Sequence, residues 1–78
     1  MAESENKFQS IGKRIKQARE EKGWSQTLLG SKLNNPLSAT AISLYESGER
    51  EVGVDVLSEI ADLFDLSIEY LINGEQSG

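Results

Sequence analysis

Seventy-eight residues make one domain with a single core, and a chain this short buries only roughly 60% of its unfolded surface, so each buried position counts. The chain has neither cysteine nor histidine, which excludes disulfides, thiol nucleophiles and thiolate zinc sites and removes the usual general base and commonest metal ligand. The net charge of −5 is unevenly placed: residues 1–50 hold all eight basic residues against six acidic ones, while residues 51–78 hold seven acidic residues and no basic one.

Residues 1–8, MAESENKF, are polar and acidic, and are expected to form a disordered arm rather than a signal peptide. No apolar run approaches the roughly 20 residues of a membrane span, so a cytoplasmic protein without a membrane partner is expected. From Phe8 the apolar positions Phe8, Ile11, Ile15 and Ala18 form a helical stripe, with Lys13, Arg14, Lys16, Gln17, Glu20 and Glu21 opposite. Gly23 stops this first helix, with Lys22 in its last turn. Ser25 is a natural N-cap for a second helix from Gln26 to about Leu33, with Leu28, Leu29 and Leu33 inward. Glycine costs a helix interior about 1 kcal/mol against alanine, so Gly30 implies the close approach of a neighbouring helix.

Asn34, Asn35 and Pro36 break the helix, and Leu37 anchors the turn. Ser38 caps a third helix that runs to about Ser47, with Ala41, Ile42 and Tyr45 inward and Gly48 as its stop. After the loop GEREVG, a fourth helix from about Val54 to Phe64 buries Val54, Leu57, Ile60, Ala61 and Phe64. Ser67 caps a fifth, IEYLIN, with Ile68, Leu71 and Ile72 inward and Gly74 as terminator. Residues 75–78 are expected to be a disordered tail. The fold class is all-α, a compact five-helix bundle over residues 9–74.

Two charges break the apolar pattern. Arg19 lies four residues after Ile15 and Glu46 four after Ile42, so both fall on buried stripes and are expected to pair. Trp24, at the joint between the first two helices, and Tyr45, on an inward stripe, read as core. Asp55, Glu59 and Asp62 line one helical face near Asp65, an arrangement that suits a solvated surface better than a cation site. No nucleophile–base pair or glycine-rich phosphate loop is present, so neither catalysis nor a cofactor is expected.

The strings IGKRIKQAREEKGWSQTLLGSKL, AISLYESGER and VLSEIADLFDLSIEYLING resemble the Cro- and repressor-type helix-turn-helix domains of phage and bacterial regulators. The likeness covers about residues 11–74 and rests on the R-x-x-x-G-x-S-Q run, the small residue at Gly30 and I-S-x-Y-E-x-G in the family's order. It implies a lambda-repressor-like fold and a sequence-specific transcriptional regulator of double-stranded DNA. The arginine and glutamate matching Arg19 and Glu46 form an internal ion pair in that family. The glutamine matching Gln26 touches a phosphate, as suits a helix N-terminus. The third helix, 38–47, is the reading helix in the major groove. Its outward positions are Ser38, Ala39, Thr40, Ser43, Leu44 and Ser47, and Arg50 matches a loop where basic residues meet the backbone.

The sequence departs from the family in two ways. Leu33 to Tyr45 spans two more residues than the common spacing, and the addition falls within NNPL, where it bears on where the reading helix begins. The reading helix also lacks the Arg, Lys, Gln and Asn that make the strongest base contacts. Its hydroxyls and methyls imply modest affinity per domain, a site of A/T character and a homodimer on DNA, with the exposed part of the fifth helix near Tyr70 as a candidate dimer surface. A protein-interaction module on the same fold, antitoxin-like or an adaptor, is the alternative. The acidic fourth and fifth helices and outward Ala39 and Leu44 would serve it.

Overall fold

Capping serines and left-handed glycines divide the chain into its helices. The computed structural model describes residues 7–74, and most of the expected arm and the whole expected tail lie outside them. Within those residues the order is α1 (Lys7–Lys22), α2 (Gln26–Ser31), α3 (Ala39–Ser47), α4 (Val54–Phe64) and α5 (Ile68–Asn73). Lys7 and Phe8, placed in the arm by sequence, form the first turn of α1.

Ser25, Ser38 and Ser67 each accept the backbone N–H three residues on, from Leu28, Ala41 and Tyr70. Such a cap contributes about 1 kcal/mol over alanine. At the other ends Gly23, Gly48 and Gly74 adopt φ of 75°, 83° and 78°. Helix α4 differs, because Gly53 is its N-cap and offers no side-chain oxygen. Its backbone already has the capping conformation, φ −68° and ψ 159°, and a Cβ there would meet nothing within 4 Å. Gly53→Ser is therefore expected to stabilise the domain by about 0.5–1 kcal/mol, through the new cap and a less flexible unfolded chain. A thermal melt reads this directly.

The core joins Ile11, Ile15 and Ala18 of α1 to Leu29, Leu33, Ile42 and Val52, and to Leu57, Ile60, Ala61, Phe64 and Leu71. Helix α1 lies centrally, packed on α3, α4 and α5, while α2 packs on α3. Two expected core positions face outward. Leu28 is 41% exposed, because it lies about 100° behind Leu29 and away from Gly30 on a helix only six residues long. Val54 is 73% exposed. It starts α4 one turn beyond the covered positions, and the loop residue Val52 enters the core in its place. Phe8 is also exposed, at the uncovered start of α1. Arg14, assigned to the outer face, turns inward: its Nη1 donates to the carbonyls of Leu71 at 3.0 Å and Ile72 at 3.1 Å and caps the end of α5. Trp24 and Tyr45 are half-buried against the core, and the Trp24 ring lies 5.4 Å from Phe64 with the Lys32 ammonium 4.7 Å above it.

The lengthened turn is tied down at both sides. Helix α2 ends at Ser31, earlier than its apolar pattern suggests, and Lys32 follows as the C-cap. Leu37 N–H then donates to Gly30 O at 3.0 Å, and Asn34 N–H donates to Glu59 Oε1 at 2.8 Å. The nearest neighbour of Gly30 is this turn, with the expected neighbouring helix, α3, lying just beyond it. A Cβ on Gly30 would collide with the Leu37 carbonyl oxygen and lie 3.5 Å from Ile42 Cγ1. Absorbing the extra residues here leaves α3 to start immediately after Ser38.

Candidate nucleic-acid interface

The exposed side of α3 is set by what its other side buries. Ala41, Ile42 and Glu46 face the interior, so helical periodicity turns Thr40, Ser43 and Ser47 to solvent, together with the cap residue Ser38. Ala39 and Leu44 are half-buried at the margins. Arg50 is exposed just past the helix, its N–H bonded to Leu44 O at 3.2 Å. Ser38 Oγ accepts the Ala41 N–H at 3.1 Å, which leaves its hydroxyl hydrogen to donate elsewhere. Ser47 is more committed. Its Oγ lies 3.1 Å from Leu44 O and 3.1 Å from Glu49 Oε2 and accepts the Glu49 N–H at 3.3 Å. Its single hydrogen must leave one of these acceptors before meeting another.

Beneath this face Arg19 and Glu46 meet as a bidentate pair, with Nε to Oε2 at 2.6 Å and Nη2 to Oε1 at 3.1 Å. The residues are only 8% and 7% exposed. Arg19 Nη1 also donates to Trp24 O at 2.8 Å, so the guanidinium joins α1, the α1–α2 joint and α3. The hydrogen bond with Glu46 raises the Arg19 pKa above its already high ordinary value, with desolvation opposing and the Glu46 charge adding. Glu46 has a second partner that the sequence did not signal: Gln26 Nε2 donates to its Oε1 at 3.1 Å.

Gln26, Ser43 and Ser47 share a shallow concavity of about 150 Å³ with Glu46 and with Lys16 of α1. Lys16 is exposed and brings a cation to the rim. The sequence placed it on the outer face of α1, but its nearness to α2 and α3 follows only from the packing of three helices. Ser38 and Thr40 stand toward the other end of α3, and Arg50 lies beyond its C-terminus; none of them lines this concavity. Among the described residues no group of three or more acidic side chains is placed to hold a metal ion. Asp55, Glu59 and Asp62 lie along α4, where Glu59 supports the turn.

Comparison with known proteins places this arrangement in a family. The helix-turn-helix family model matches residues 15–71, from the middle of α1 into α5. The HTH-type transcriptional regulator ImmR of Bacillus subtilis is 33% identical over 67 residues, covering 86% of this chain and 51% of that protein. The regulator YqaE of the same organism is 32% identical over 63 residues, covering 81% of this chain and 53% of that protein. The chain thus spans about half the length of the curated relatives it matches. Among solved structures, the phage P22 c2 repressor in complex with a synthetic operator is 30% identical, with a TM-score of 0.77 and coverage of 86% of this chain and 98% of that one. The BldD DNA-binding domain of S. venezulae is 26% identical, with a TM-score of 0.72 and coverage of 85% and 96%. With the matching model spanning α2, α3 and α4 and parts of α1 and α5, the chain belongs to the helix-turn-helix family.

Proposed function

We propose that this chain is the DNA-binding part of a cytoplasmic, sequence-specific transcriptional regulator, with α3 as the helix that enters the major groove. The observation that carries the reading is the exposed face of α3, held against α2 by a buried core and presented by a serine N-cap. Its resemblance to a repressor solved on an operator supports the same face as the one that meets DNA. Thr40, Ser43 and the Ser38 hydroxyl offer hydrogen bonds to base edges, and the methyl of Thr40 suits the thymine methyl. Ala39 and Leu44 add apolar margin, while Ser47 contributes only by exchanging its present partners. Gln26 and Arg50 serve the phosphate backbone, which positions the helix without reading sequence.

Short hydroxyls read weakly, so useful selectivity calls for two copies on half-sites roughly one helical turn apart. The acidic α4–α5 half would then point away from the duplex, which reconciles a chain of net charge −5 with a polyanionic partner. The test compares variants across a panel of duplexes. Thr40→Ala and Ser43→Ala are expected to change the order of preference among sites, and Gln26→Ala to weaken all sites alike. Thr40→Ala and Ser43→Ala with an unchanged order of preference would count against α3 as the reader.

A further inference from the structure

The Arg19–Glu46 pair explains stability, but it does not account for the third hydrogen bond to Glu46, the one from Gln26. We propose that Glu46 is also a positioning residue for DNA binding: it fixes the side-chain amide of Gln26 at the rim of the concavity shared with Lys16 and Ser43. This rests on the functional reading above and adds a role for a residue that does not itself touch DNA.

The chemistry of the contact sets its orientation. Both Glu46 carboxylate oxygens act as acceptors, toward Arg19, so Gln26 turns its nitrogen, not its oxygen, toward Oε1. Arg19 occupies both carboxylate oxygens and leaves Glu46 little freedom to rotate. The Gln26 amide is therefore held by a group that is itself held. Nε2 carries two hydrogens and Glu46 takes one, so the other N–H and the carbonyl remain to meet an incoming partner. A glutamine on the surface normally samples many rotamers, and ordering it at the moment of binding weakens affinity. Ordering one such side chain beforehand corresponds to roughly two- to tenfold in affinity.

The test is a double-mutant cycle on DNA affinity, using the tightest duplex recovered from a random library, at one fixed salt concentration and with each variant confirmed folded by circular dichroism. Glu46→Gln is expected to weaken binding about two- to tenfold in the native background and less than about twofold when Gln26 is already alanine. Equal losses in both backgrounds would overturn the proposal, since a purely structural role of Glu46 does not depend on Gln26. Should Glu46→Gln fail to fold, Glu46→Asp enters the same cycle with the same two readings: it keeps the charge for Arg19 but withdraws the carboxylate from Gln26. If the native protein binds no duplex at all, the functional reading fails first and this proposal with it. That result is distinct from native binding without coupling.

Discussion

Arg19→Met is expected to lower the free energy of unfolding by about 3–5 kcal/mol, a large share of the roughly 4–12 kcal/mol available to a domain of this length. The loss comes less from the missing attraction than from what remains. Among the described residues Glu46 would be left buried with only the Gln26 amide as partner, and the Trp24 carbonyl would lose the Arg19 donor. The deficit should shrink when Glu46 is replaced as well, because an apolar pair of similar volume leaves no uncompensated charge. Urea denaturation of both single variants and the Arg19→Met, Glu46→Leu double variant measures this. Single variants within 1 kcal/mol of the native protein would show that the pair is not the buried, mutually dependent unit described here. The arginine side of the pair adds no ordinary pH dependence. A raised pKa means its stabilisation is complete below the normal guanidinium range and is lost only as pH rises through the still higher folded value.

Gly12→Ala is the second substitution expected to do serious harm. A Cβ on Gly12 would collide with the carbonyl oxygens of Tyr45 and Glu46 and lie 2.7 Å from the Glu46 carbonyl carbon. These are backbone atoms, so no rotamer change relieves the contact and α1 must move away from α3. Alanine improves helix propensity by about 1 kcal/mol, which offsets part of the cost. Overpacking of this kind typically costs 1–3 kcal/mol, and the net change is expected to be a loss of about 1–2 kcal/mol. The same movement would draw Glu46 away from Arg19, so the two effects should not simply add. A thermal melt in which Gly12→Ala matched or exceeded the native protein would contradict this close crossing of α1 and α3.

Much of the architecture was legible because its signals are local. Ser25, Ser38 and Ser67 begin helices, Gly23, Gly48 and Gly74 end them, and each acts within three or four residues of itself. Arg19 and Glu46 could be matched because each interrupts an apolar stripe. What the sequence misassigned depends on distant partners. Leu28 and Val54 are apolar and near the right phase, but no neighbour covers them. Arg14 appears solvated on a helical wheel until α5 brings carbonyls within its reach. Gly12 was assigned no role from sequence, although its place between Ile11 and Ile15, beside the buried stripe, was a local sign of one.

The same division holds at the candidate interface. Periodicity alone identifies which residues of α3 share a face. The bond from Gln26 to Glu46, the commitment of Ser47 to Leu44 and Glu49, and the approach of Lys16 all require three helices to be in place. The lengthened turn lies between these cases. Its extra residues were visible in NNPL, but their accommodation through Glu59 and Gly30 was not.

Whether α3 reads duplex DNA is decided by selecting bound duplexes from a random library with the native chain at two salt concentrations. The expected result is enrichment of a two-fold-symmetric, A/T-leaning site, with binding that weakens at the higher salt by about 0.9 in log–log slope for each phosphate neutralised. No enrichment over the starting pool at either salt would contradict this role of α3.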